Sequence, residues 1–164
     1  MLTENQQNYL AKIPESKTVQ VIPWDPKVKE TAEAIMREIA SVAPDLPVLF
    51  MGASALGIAG QNDIDLYICS PAADFDKHLP NIKKVFGENK TGISIIKWEF
   101  ERDGFDIEVY LTDPDTPSMR EQIVVFEALR DNPELLKEYE TIKLSAGTSF
   151  HDYMTKKYEF FNRI

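Results

Sequence analysis

Two aspartates, Asp63 and Asp65, stand two residues apart at the start of the apolar run "DIDLYIC". Side chains two apart on a strand share a face, and their Cα atoms lie about 6–7 Å apart. Carboxylates held there repel one another and lose hydration, so they call for positive charge. A second run, "FDIEVYL", places Asp106 and Glu108 on one face and Phe105, Ile107 and Val109 on the other. If the two runs are neighbouring strands, three or four carboxylates converge. Oxygen ligands alone suit Mg²⁺ or Mn²⁺. A pair of such ions about 4 Å apart would align an attacking oxygen with a phosphorus and neutralise a departing pyrophosphate. Taken alone, Asp-x-Asp is also the pattern of a turn or an N-cap pair.

Upstream, "GASALGIAG" follows an apolar run directly. Gly52 and Ser54, with exposed amides at the start of a helical turn, suit phosphate oxygens. This is not a Walker loop, because Ile58-Ala59 stands where Lys-Ser/Thr would be. An ordinary tight turn, with glycine there for backbone reasons, is the alternative. Other chemistries lack their residues. The histidines are His78 and His151, without metal or catalytic spacing, and the lone Cys69 excludes an internal disulfide and fits a reducing compartment. Proton removal would fall to Asp106 or Glu108.

The elements that must hold these groups follow from periodicity. "LPVLFMG" reads as a strand buried on both faces, and "DIDLYIC" as the next strand. "GISIIKWEFERDGFDIEVYLTD" reads as two strands around an Asp103-Gly104 hairpin turn. Val28, Ala32, Ile35, Ile39 and Val42 recur at helical spacing after Asp25, a candidate N-cap before Pro26. "ADFDKHLPNIKKVFG" reads as a helix with an interruption at Pro80, and the chain ends in three helical pieces. Residues 1–18 form an arm. Residues 19–164 form a single domain whose portion from about 117 is helical. The fold class is α/β bordering on α+β: a small mixed sheet with packed helices. Trp24 and Trp98 belong to the core or an edge strand, and Tyr139, Tyr153 and Phe160 to the packing of the helical layer.

The net charge of −9 argues against a general nucleic-acid or anionic-membrane binder. The acid excess lies before Arg130, and the C-terminal part is balanced. That part can offer positive groups to a polyanion held by the acidic part, although two merely solvated surfaces would look the same. No apolar run reaches the roughly 20 residues of a membrane span, and the polar N-terminus lacks the apolar core of a signal peptide. A cytoplasmic location is the expectation.

Met51-Gly52-Ala53-Ser54, then Asp63-Ile64-Asp65, then Asp106 or Glu108, resembles the pattern of the nucleotidyltransferase superfamily. The resemblance implies metal-dependent transfer of a nucleoside monophosphate from an NTP to an unidentified hydroxyl or phosphate acceptor. Asp63, Asp65 and Asp106 would be the catalytic metal ligands, with Asp106 a better match than Glu108, and Gly52 and Ser54 would hold the triphosphate. A narrower resemblance, over 19–164, is to the GrpB family. It rests on "VQVIPWDPKV", "GASALGIAGQNDIDL", "LRDNPELLKEYETIK" and "YMTKKYEFF", in that order. It carries over Arg130, Lys143 and Lys157 as triphosphate or substrate-phosphate contacts; surface charge or salt bridges to the acids are the alternatives. This chain departs from the GrpB pattern at Phe50, at Phe126-Glu127 and in lacking a proline between Leu56 and Gly57. Asp63 stands where that family is often apolar. Beside the enzyme stands a second reading: a non-catalytic nucleotide-binding or protein-interaction module, including an adaptor whose acidic face docks a basic partner.

Overall fold

The computed structural model describes residues 1–92 and 95–164. Its elements run α1 (Glu4–Ala11), α2 (Lys27–Val42), β1 (Val48–Met51), α3 (Ala53–Leu56), β2 (Ile64–Cys69), α4 (Phe75–Phe86), β3 (Lys90–Gly92), β4 (Ile95–Arg102), β5 (Phe105–Thr112), α5 (Pro117–Asp131), α6 (Pro133–Leu144) and α7 (Phe150–Phe161). The strands form one sheet in the order β1-β2-β5-β4-β3. β2 and β5 are parallel and the other neighbours antiparallel, so this is a mixed α/β fold. Ile93 and Ser94 of the first strand run lie outside the described residues.

Helix α2 forms because its apolar residues fall on one stripe, and Val28, Ala32, Ile35 and Ile39 are all fully buried. They pack with Ile82 of α4 onto Ile64, Leu66 and Ile68 of β2, Ile107 and Val109 of β5 and Trp98 of β4. Truncating one such isoleucine to alanine costs about 2–5 kcal/mol. Asp25 acts from just outside the helix: its carboxylate accepts from the Lys27 N–H at 2.9 Å, with Pro26 in between. Helix α4 runs unbroken through Pro80, against the expected interruption. β1 is an edge strand, and Val48, Leu49 and Phe50 are only half-buried rather than covered on both faces. The continuous apolar run misled there, because an edge strand beside packed helices reads like a central one. Asp103 and Gly104 both have positive φ (55° and 83°), so the β4–β5 turn is of the mirror type that matches strand twist.

The opposite face of the sheet carries Asp65, Tyr67, Glu108, Tyr110, Lys97 and Glu99. The C-terminal helices pack against the turn after β1. Ile58 meets Leu129, Tyr139 and Phe160 in one cluster, with Ala53 and Leu56 against it. Asn132 separates α5 from α6 and caps the latter by accepting from the Glu134 and Leu135 amides at 3.1 Å. The N-terminal arm lies on α7: Leu10 and Val19 cluster with Tyr153 and Met154, and Val19 donates to the Thr148 carbonyl at 2.9 Å. No helix among the described residues is long and apolar enough to cross a membrane.

Candidate functional site

The turn between β1 and β2 is built around Gly52 at φ 87°, a conformation that disfavours any side chain. A Cβ there would lie 3.1 Å from Asp65 Oδ2, so the turn passes directly over that carboxylate. Ser54 is buried, and its hydroxyl donates to the Asp63 carbonyl at 2.5 Å. The hydroxyl expected to face a phosphate is thus used to tie the turn to the strand. Trp24 adds a second tie, its indole N–H donating to the Ser54 carbonyl at 3.0 Å. Asn62 sits at φ 54°, a left-handed conformation that asparagine tolerates. Its amide donates to the Pro23 carbonyl at 3.0 Å and its oxygen accepts from the Asp25 N–H at 3.1 Å. These bonds fix the approach to Asp63.

The parallel register aligns Asp65 with Glu108. Two residues earlier stand Asp63 and Asp106, just before the first aligned pair, Ile64 and Ile107. Asp65 is the strained member. Burial first, then the charges of Asp63 and Glu108, raise its carboxyl from 3.8 to about 7, while Lys157 opposes them. Glu108 has partners: it accepts from the Tyr110 hydroxyl and lies 4.0 Å from Lys97. Asp106 is exposed and faces Glu101 of β4. It still lines the open cleft of about 530 Å³ that Gln61, Asp63, Glu99 and Glu108 also border. Asp63, Asp106 and Glu108 thus line one cleft, and the charges of Asp63 and Glu108 act on Asp65.

Lys143 of α6 and Lys157 of α7 reach the same region, whereas Arg130 does not join them. Its exposed guanidinium pairs with the neighbouring Asp131 at 2.7 Å. Lys143 is only 3% exposed, yet forms no ion pair among the described residues. Burial and the charge of Lys157 pull its ammonium down to about 8, against support from Asp63 and Glu140. Glu140 turns elsewhere, accepting from the Ala59 N–H at 2.8 Å. Tyr139 stacks on Phe160 with centroids 5.2 Å apart, the packing role expected of it. Tyr153 is raised to about 12 chiefly by burial. Both phenols feel the charge of Asp63, so they belong to the walls of the site as well as to the helical layer. Tyr67, stacked on Tyr110 at 4.9 Å, was also missed as a site residue. The period of two from Asp65 would have placed it on that face.

Oxygen donors of like charge, one with a strongly raised carboxyl, match a hard divalent cation in donor type and in charge. As placed, however, no three acidic, histidine or cysteine side chains among the described residues are close enough to hold an ion together. Loading would therefore need carboxylate rotamers to turn inward.

No curated protein matches the chain. Among solved structures, the conserved protein GrpB from Enterococcus faecalis is similar over 88% of this chain and 98% of its own, with a TM-score of 0.63 at 15% identity. A MgGTP-bound Cid1 poly (U) polymerase is similar over 86% of this chain and 48% of its own, with a TM-score of 0.47 at 12% identity. The GLD-2/RNP-8 complex gives 85% and 57%, a TM-score of 0.48 and 17% identity. The chain thus spans about half the length of those two structures. The family model for GrpB protein matches residues 18–164, and the chain belongs to the GrpB family.

Proposed function

We propose that this protein is a Mg²⁺- or Mn²⁺-dependent nucleotidyltransferase that moves a nucleoside monophosphate from an NTP to a hydroxyl or phosphate acceptor. The observation that carries the reading is the raised Asp65 carboxyl, wedged between Asp63, Glu108 and the Gly52 turn with two lysines nearby. Asp63 and Asp65 would hold the metal, with Glu108 or Asp106 as the third acid. The metal would supply Lewis acidity at the transferred phosphorus and charge for the leaving pyrophosphate. Lys143 and Lys157 would receive triphosphate oxygens, as would the amides of the Gly52 turn. Glu108 or Asp106 would take the acceptor's proton.

A second reading, a nucleotide-binding module without turnover, draws on specific observations. Glu108 is engaged by Tyr110 and Lys97, and the Ser54 hydroxyl is spent on Asp63. One experiment separates the two. Thermal stabilisation by each NTP is measured with and without Mg²⁺, alongside pyrophosphate release. Metal-dependent stabilisation with release supports the enzyme, and stabilisation that ignores Mg²⁺ and yields no release supports the module. Asp65→Asn should abolish the metal-dependent part; unchanged binding would overturn the metal-site assignment.

A further inference from the structure

Glycine at position 60 has no backbone reason to be there. It is absent from the residues with positive φ, and its N–H and carbonyl pair with Ile22 at 3.0 and 2.7 Å like any extended residue. What a side chain would meet is decisive. A Cβ at Gly60 would lie 3.0 Å from the Ala53 Cβ and 3.0 Å from the Lys143 ammonium nitrogen. Ala53 cannot yield, because its Cβ is fixed by the backbone of α3. The Gly60 backbone cannot yield, because both of its polar groups are bonded to Ile22. Only the end of the Lys143 side chain can move.

We infer that Gly60 is a positioning residue: its missing side chain is the clearance that seats the unpaired Lys143 ammonium beside the carboxylate site, where it receives an oxyanion of the ligand. The ligand half rests on the reading of the site as phosphate-binding. Lys143 is almost wholly removed from solvent by a wall that includes Tyr139, whose ring centre lies 5.2 Å from the ammonium. The ammonium makes no hydrogen bond or ion pair among the described residues, and no fully enclosed side-chain nitrogen or oxygen among them is left unsatisfied. Its tip therefore meets solvent, and a desolvated cation with an open tip is a receiver for an anion. Lys157, Asp63 and Glu140 are the charges that act on it.

The test is a double-mutant cycle on the full chain with two readouts. Gly-to-Ala substitution in an unstrained backbone ordinarily stabilises slightly. Here Gly60→Ala should instead lower Tm by about 3–8 °C. In a Lys143→Met background, where the terminal nitrogen is gone and the Ala53 contact alone remains, the loss should be measurably smaller. If Gly60→Ala folds only when combined with Lys143→Met, that rescue is the same result. The second readout is the affinity for inorganic tripolyphosphate without metal. Gly60→Ala and Lys143→Met should each weaken it about tenfold. The double variant should be no weaker than Lys143→Met, whereas a residue with a merely structural role would leave the affinity alone. Equal Tm losses in both backgrounds overturn the clearance. Wild-type affinity in Gly60→Ala overturns the link to ligand. If the wild-type protein binds no tripolyphosphate, the phosphate reading and the ligand half fall together, and the Tm cycle decides the clearance by itself.

Discussion

Asp65 stands directly beside Glu108 in the parallel pairing of β2 and β5, and only one of the two is compensated. Glu108 has the Tyr110 hydroxyl and Lys97, whereas Asp65 has Lys157 acting at longer range against burial and two like charges. A folded protein retains such an uncompensated carboxylate at a cost to stability, which is the usual mark of a working site.

That cost is measurable. The Asp65 carboxyl is raised from 3.8 to about 7, so its native form binds a proton more readily than the unfolded chain does. Its favourable contribution is complete below pH 3.8 and is lost as pH rises through about 7. Asp65→Asn removes this loss and should stabilise the protein above pH 7, by at most about 4 kcal/mol. Urea unfolding at pH 5 and pH 8 checks it: the variant's advantage should grow with pH. A constant advantage would place Asp65 among ordinary surface acids.

Glu108 should matter more than Asp106 for metal-dependent binding, because the register sets Glu108 beside Asp65 and Asp106 is exposed. Glu108→Gln should weaken Mg²⁺-NTP binding at least tenfold, and Asp106→Asn by less than threefold, on a scale where tenfold is about 1.4 kcal/mol. Titration calorimetry in Mg²⁺ reads both. The opposite order would assign Asp106 as the third acid.

The Lys143 ammonium, lowered from 10.5 to about 8, gives the anion affinity a pH limit. Below pH 8 the charge is present and phosphate binding holds; above it the charge is lost and binding falls. Stability runs the other way. Burying this cation costs least above pH 10.5, and the penalty develops fully as pH drops through about 8. Lys143→Met should therefore raise stability at pH 7 while abolishing the decline of tripolyphosphate affinity between pH 7 and 9. Persistence of that decline in the variant would assign it to another group.

Much of this was legible in the sequence because local rules governed it. The stripe of Val28, Ala32, Ile35 and Ile39, the Asp103-Gly104 turn and the three C-terminal helices all follow from period and turn chemistry. The pairing of the strands bearing Asp65 and Glu108 entered only as a condition, because like charges on two strands do not by themselves bring the strands together. What was hidden depends on register and tertiary approach. No spacing says that Asp65 aligns with Glu108 rather than Asp106, that Ser54 bonds to the Asp63 carbonyl, or that Arg130 turns to Asp131. The short strand β3 carries too few residues to show a period, and the edge position of β1 is a fact about neighbours.

Gly52 joins the turn to the acids, and Gly52→Ala tests whether that junction serves binding. At φ 87° and ψ −175°, a region nearly confined to glycine, an alanine is strained by about 1–3 kcal/mol, and its methyl would lie 3.1 Å from Asp65 Oδ2. The methyl also desolvates a carboxylate already raised to about 7, so the proton on Asp65 should be held more tightly still. Two consequences separate this from simple destabilisation. Mg²⁺-NTP affinity at pH 7 should fall more than tenfold, and raising the pH to 8.5 should recover part of it by ionising Asp65. The affinity for tripolyphosphate without metal should stay unchanged in the Gly52→Ala variant, although its stability falls. A loss of binding that ignores pH and extends to metal-free tripolyphosphate would mean that the turn acts on the ligand directly, through its own amides.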